Sequence, residues 1–275
     1  MLGATKPYHF EGDLTKVIWA RCLAKDQVIK AFYEPRVCMI TVEIIMGLKK
    51  DSHQDKMTPV IAHPPETTPE WDIEEFFRMF VPVIEDTTTC KGIKLDFRCK
   101  EAFAASLPTM RMIFSTRKKQ FPIWLHADIF AGPGARDQTP VDPTLFISEV
   151  VKFPQVVVSL GWTTSTNDET GYTAADIDAM LDFLNHHKLA QPVVVMIRAT
   201  LIVPSSSYEG VVRLMHGAKT HTSLAVWAAP PDQPDANVVK KLLKEVGHRK
   251  VYLDLPRSII EEIRFAETSP LGNPS

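Results

Sequence analysis

Glu43 follows the apolar run Ile40-Thr41-Val42, Asp96 closes Gly92-Ile93-Lys94-Leu95, and His126 and Asp128 stand two apart inside Ile123–Phe130. Alternate side chains of an extended strand share a face, so Glu43 lies beside Ile45, Lys94 beside Asp96, and His126 beside Asp128. Two carboxylates converging at strand ends suit a hard divalent cation such as Mg²⁺ or Ca²⁺, although such ions usually take more oxygens than two. A nearby histidine would add proton transfer. A buried carboxylate must in any case be paired, hydrated or metal-bound, so a core ion pair explains Glu43 equally well, with Lys94 able to serve either acid. His63, ahead of Pro64-Pro65, is a weaker candidate by itself. Trp162, with Thr163 and Thr164 after it, and Trp227 offer indoles that act either as plugs or as ligand platforms. Arg198 offers a planar fork for phosphate or carboxylate. Gly132-Pro133-Gly134 is a tight turn whose N–H groups could also face an anion.

These residues have one feature in common. Eight short apolar runs, about thirty residues apart, mostly end in a polar or aromatic side chain: Arg21, Glu43, Asp96, the His126/Asp128 pair, Trp162, Arg198, Trp227 and Asp254. Helical spacing fills the intervals. The pattern predicts a single α/β domain, a (β/α)8 TIM barrel, over residues 1–267, with a flexible tail at 268–275. About 250 residues is the usual size of that fold, and its ligands sit where the carboxyl ends of the strands converge. The named side chains should therefore meet at one mouth.

The helices are read from caps and periodicity. Thr173 and Asp176 form a capping box ahead of Ile177, Met180, Leu181 and Leu184. Thr68-Pro69-Glu70 is read as the start of another helix, and Gly247 as the stop of the one beginning at Asp235. One extra extended piece, Pro59–His63, should fold back over the mouth and carry His63 with it.

A net charge of −2 over 275 residues gives no electrostatic reason to expect nucleic acid. No apolar run approaches the roughly eighteen residues of a membrane span, and no export signal is visible in the first thirteen residues. The four cysteines have no zinc-site spacing. Cys38 and Cys90 precede neighbouring strands and are the pair whose Cα atoms should lie within about 7 Å, the limit for a disulfide.

Several segments, in order, carry a resemblance: Glu11-Gly12-Asp13-Leu14, Val17-Ile18-Trp19-Ala20, Ile61-Ala62-His63-Pro64-Pro65, Lys91–Phe97, Ala127-Asp128-Ile129, Ser159–Thr164 and Arg198-Ala199. Together they resemble the menorin family, a branch of the phospholipase C-like phosphodiesterase barrels. The resemblance implies a TIM barrel, an extracellular or cell-surface setting and an association with neuronal tissue. It implies a metal-dependent phosphodiesterase centre in which two histidines act as acid and base while Mg²⁺ or Ca²⁺ neutralises the phosphate. Glu43, His63 and Asp96 match that pattern. Arg21 stands where the family has a histidine after Trp-Ala, and Ile45 stands where it has the second acid of Glu-x-Asp. Arginine does not release its proton near neutral pH, and isoleucine cannot ligate a metal.

The resulting expectation is a non-catalytic binding or signalling barrel that needs no cofactor and takes a protein partner or a small phosphate-containing ligand. Its pocket would comprise Arg21, His126, Asp128, Trp162, Arg198 and Trp227. Glu43 and Asp96 would be the remnant metal ligands, and His63 and Lys94 vestigial catalytic groups. Arg21 is expected in the metal's place, bonding Glu43 and Asp96 together. The alternative is an active Mg²⁺- or Ca²⁺-dependent phosphodiesterase acting on a phospholipid-type diester through His63.

Overall fold

A computed structural model describes residues 12–50, 56–63, 69–86, 91–116, 121–165, 170–219 and 221–268. The expected tail from 269 onward lies outside the described residues, as does Cys90 and with it the Cys38–Cys90 pairing.

Nine strands among the described residues form one sheet: β1 (Trp19–Cys22), β2 (Met39–Gly47), β3 (Thr58–Ile61), β4 (Gly92–Phe97), β5 (Ile123–Ala131), β6 (Val157–Thr163), β7 (Val193–Arg198), β8 (Thr222–Trp227) and β9 (Val251–Asp254). Eight run parallel in the order β1-β2-β4-β5-β6-β7-β8-β9, while β3 pairs antiparallel with the end of β2. Eight α-helices alternate with them among the described residues: α1 (Lys25–Tyr33), α2 (Ile73–Asp86), α3 (Lys100–Thr116), α4 (Pro143–Val150), α5 (Ala174–His187), α6 (Ser205–Gly217), α7 (Ala236–Val246) and α8 (Arg257–Thr268). This is the α/β barrel that the eight runs imply, nearly closed. No helix among the described residues is long and apolar enough to cross a membrane.

The register sorts side chains into two layers. Ile40, Val42 and Ile44 of β2 point outward into the main core against the helices, as do Val193, Val195 and Ile197 of β7. Met39, Trp124, Val157, Val194, Met196, Ala225 and Tyr252 form a separate interior cluster. Burial on both faces explains why the strands read as Val- and Ile-rich runs without clean alternation. At the amino end the interior is filled by aromatic rings. Trp124 meets Trp19 at 5.1 Å and Tyr252 at 4.9 Å, both edge to face, and Trp19 meets Tyr252 at 6.1 Å across the seam between β1 and β9. A short 3-10 helix, Leu14–Lys16, adds Leu14 to this cluster, and the Leu14 backbone N–H donates to the His248 carbonyl. The amino end is therefore solid, and open space inside the barrel is confined to the carboxyl ends.

Two local expectations can be compared with the structure. The capping box at Thr173 and Asp176 is present, and Gly247 ends α7 with φ +94°. The helix expected to open at Thr68-Pro69-Glu70 instead begins at Ile73. Asp72 bridges antiparallel to Val60, and Trp71 accepts a backbone hydrogen bond from Ile61. This pairing holds 71–72 extended beside β3, and the Asp72 carboxylate then caps the helix by accepting from the Glu75 N–H at 2.8 Å. Strand pairing overrides the local start signal of Pro69.

Removing the central ring should expose how much the plug contributes. Trp124→Ala is expected to lower unfolding free energy by about 3–5 kcal/mol in a urea titration, since Trp124 is fully buried and its neighbours cannot collapse into so large a void.

Candidate functional site at the barrel mouth

Parallel pairing places Glu43 opposite Asp96, Asp96 opposite His126, and His126 opposite Ser159. Period two then adds Arg21 and Thr41 on the first two strands, Lys94 below Asp96, Asp128 above His126, and Asp254 on the last strand. Arg21, Thr41, Lys94, Asp96, Arg98, His126, Asp128, Trp227 and Asp254 all line one small cavity, of about 60 Å³. Larger clefts exist on the outside, between α6 and α7 and beside Trp71, but neither gathers these groups.

Glu43, only 2% exposed, is the centre of the charge network. One carboxylate oxygen accepts from the Arg21 guanidinium, and the other lies 3.0 Å from His63 Nδ1. His63 reaches it because β3 folds back antiparallel over the end of β2, placing Ile61 opposite Ile44. Ile45 packs with Val60 and Ala62 of the same fold-back in a small apolar cluster. Its side chain occupies a greasy seam where a carboxylate would be costly.

Arg21 bonds Glu43 but forms no ion pair with Asp96, contrary to the expectation that it would bridge both. Asp96 is served by other groups: Lys94 Nζ at 3.9 Å, Arg98 Nη1 at 3.7 Å and His126 Nε2 at 3.9 Å. Arg98 also lies 3.7 Å from Glu43 and 3.8 Å from Asp128. It is the residue that spacing alone does not single out. A signal exists, because Lys94, Asp96 and Arg98 continue one period-two face, but Arg98 falls one residue beyond the apolar run. Glu43 is thus bonded by Arg21, while Arg98 stands among Glu43, Asp96 and Asp128.

The electrostatics follow from this packing. Burial pushes the Asp96 carboxyl upward, but His126, Lys94, Arg98 and Arg21 outweigh it and hold Asp96 at about 2. Asp96 first, then Asp128 and Glu43, raise Arg98 above its ordinary value despite burial, so it remains a fixed cation. Burial raises Asp254, opposed only in part by Lys94 and Arg21. Burial also pushes the Cys22 thiol up to about 12, which leaves it inert as a nucleophile.

His126 is held from below by Ser159, whose Oγ lies 3.0 Å from Nδ1, and its Nε2 lies 3.4 Å from Asp128. A Cβ on Gly161 would stand 2.5 Å from Asp128 Oδ1, so glycine there makes room for this pair. A β-bulge between Asp128 and Phe130 lies at the same level, a device that often re-aims side chains beside sites.

Two expected pocket residues, Trp162 and Arg198, are placed differently from the rest. Trp162 points outward, 2% exposed, with its ring 5.0 Å from Tyr172, and is a core plug outside the mouth. The turn at Gly132 packs on its side chain, within 2.6 Å of a Cβ at that position. Arg198 does face the mouth, but its fork is occupied: Nε and Nη2 donate to the buried Asp232 at 2.9 and 2.8 Å, and its plane covers the Trp227 ring at 5.1 Å. Trp227 lines the cavity with that face already covered.

No three His, Cys, Asp or Glu side chains among the described residues converge as a ligand set. Both oxygens of Glu43 are engaged, and Arg98 lies beside Glu43, Asp96 and Asp128, so the residues as arranged do not fit a divalent ion.

Because its folded pKa is depressed below the ordinary 3.8, Asp96 contributes stability that is present above about pH 4 and lost as the pH falls toward about 2. Urea midpoints measured across that interval should fall for the native chain, and Asp96→Asn should flatten that limb. A raised Asp254 acts in the opposite sense, contributing below the ordinary carboxylate value and losing stability as pH rises.

Two comparisons bear on the family. The Menorin N-terminal domain matches residues 13–260 of the chain. Protein FAM151B of Homo sapiens is 28% identical over 222 residues, covering 79% of this chain and 74% of that protein. With the domain match spanning nearly the whole barrel, the chain belongs to the menorin family.

Proposed function

We propose that this barrel is a non-hydrolytic member of the family, in which the phosphodiesterase-like centre has become a charge-compensated binding pocket. The observation that carries this reading is the Arg21–Glu43 bond at the strand end where the resemblance expects a histidine. A guanidinium held there supplies fixed positive charge to a buried acid, which is the electrostatic service of a metal without its Lewis acidity or its bound water. It also cannot give up a proton near neutral pH. Ile45 complements this by filling the second acid's position with apolar contacts. On this reading the protein acts by binding, in the extracellular or cell-surface setting that the family resemblance implies. Arg198, the fork expected for a phosphate-bearing ligand, is committed to Asp232 and is not counted among the binding groups.

A second reading is favoured by one contact. His63 is half-exposed at the mouth and bonded to the buried Glu43, the arrangement a general base takes when a carboxylate orients it. An active phosphodiesterase would use that dyad.

Turnover separates the two. Lysophospholipid, sphingomyelin and glycerophosphodiester substrates should show no hydrolysis or cyclisation with Mg²⁺, Ca²⁺ or Mn²⁺, and calorimetry with these ions should give no binding heat. Metal-dependent turnover abolished by His63→Ala would overturn the proposal.

The Arg21 substitution also carries a stability signature. Glu43 is buried while Arg21 is about one-third exposed, so the pair lies between a surface and a fully buried ion pair. Arg21→Ala should destabilise by about 1–3 kcal/mol, with His63 and Arg98 partly compensating. Arg21→His combined with Ile45→Asp should gain divalent-ion affinity before any catalytic rate, because ligation tolerates looser geometry than catalysis. Without metal that double variant should melt below the native chain, since the introduced carboxylate would face Val60 and Ala62.

A further inference from the structure

The floor of the mouth holds polar groups that the protein itself leaves unsatisfied. Thr41 Oγ1 and Asp96 Oδ1 are buried with no hydrogen-bond partner among the described residues, in residues 4% and 8% exposed. Lys94, 3% exposed, carries three donor hydrogens, and among the described residues its hydrogen-bond partner is the thioether of Met196 at 3.8 Å. Oxygen acceptors are normally found for nearly all such groups, and a thioether is a weak substitute. Around them the opposite charges stand slightly apart: Lys94 to Asp96 at 3.9 Å, Arg98 to Asp96 at 3.7 Å, His126 to Asp96 at 3.9 Å and Arg98 to Asp128 at 3.8 Å. Each gap is too wide for a direct hydrogen bond and narrow enough for one oxygen to touch both sides.

The kind of oxygen is set by what it must satisfy. A phosphate or carboxylate oxygen only accepts, so it would meet Lys94 and Arg98 well but turn lone pairs toward Asp96 and Asp128. An ammonium only donates and would face Lys94. A hydroxyl does both, accepting from the ammonium or guanidinium while donating to a carboxylate. Acidic and basic groups are interleaved around the cavity, with Arg21, Lys94, Arg98 and His126 facing Asp96, Asp128 and Asp254. The free space, about 60 Å³, is several times the roughly 10–15 Å³ that one water needs, so it admits a pair of adjacent hydroxyls.

We propose that the mouth is a binding site for an uncharged polyol or sugar, which inserts a vicinal diol among Thr41, Lys94 and Asp96 while the remainder of the molecule extends outward past Trp227. This goes beyond the non-hydrolytic reading and does not depend on it, since recognition of a diol requires no statement about turnover.

The test is ligand-observed saturation-transfer NMR on the whole chain with glycerol and D-mannose as probes, and calorimetry with inorganic phosphate as the anion control. Saturable binding of at least one polyol is expected, with no phosphate heat. Thr41→Val, which removes one hydroxyl at nearly constant shape, should weaken polyol binding about three- to tenfold, the range for a single neutral hydrogen bond. Thr41→Ser should restore it, and thermal melts confirm that each variant is folded. Absence of polyol binding to the native chain overturns the proposal whatever the variants do. So does polyol binding indifferent to Thr41→Val, or phosphate binding more tightly than either polyol. Failure of the non-hydrolytic reading would appear separately, as metal-dependent turnover.

Discussion

The burial of Glu43 constrains most of the mouth. An acid 2% exposed on an interior strand face must have its charge answered nearby, and three otherwise separate features answer it. Arg21 ends β1 beside it, β3 folds back to bring His63 to it, and Arg98 reaches it from the end of β4. The antiparallel β3 departs from the plain barrel, and the contact it makes gives its structural reason: without that hairpin one oxygen of Glu43 would lose its partner. The same fold-back seals Ile45 under Val60 and Ala62, so the charged and apolar halves of the arrangement stand or fall together.

A second, self-contained pair lies across the mouth. Arg198 and Asp232 are 8% and 2% exposed at their side chains and bond through two parallel contacts, with Trp227 covering the guanidinium. Asp232 also accepts from the Ala229 N–H, which folds its own loop. Bidentate geometry and a stacked ring make this pair rigid. It fixes the loop after β8 against the barrel, while the network around Asp96 is held at longer range. The contrast is visible in the distances: bonds of 2.8–2.9 Å on one side, gaps of 3.7–3.9 Å on the other.

Arg21 and Ile45, 24 positions apart in the chain, meet the constraint of the buried Glu43 from two sides. Arg21 bonds Glu43, and Ile45 packs under the fold-back against Val60 and Ala62.

Fold class and the level of the mouth are legible in the order of residues alone. Eight Val- and Ile-rich runs at even spacing admit few arrangements that bury both faces, and period-two alternation put Lys94 with Asp96, and His126 with Asp128, on shared faces. Helix ends governed by their own residues, such as Thr173 with Asp176 and Asp235 with Gly247, were legible for the same reason: their partners are local. Which charges meet depends on packing between strands that are distant in the chain. Arg98 rather than Arg21 joins Asp96, because Arg98 follows β4 two residues after Asp96 whereas β2 stands between Arg21 and β4. Trp162 is core and Arg198 already occupied, because alternation fixes a side only once the strand's starting parity is known, and a fork's availability depends on a partner, Asp232, that lies 34 residues away. The start of α2 moved for a similar reason, since long-range pairing of Trp71 and Asp72 with β3 outweighed a proline's local preference.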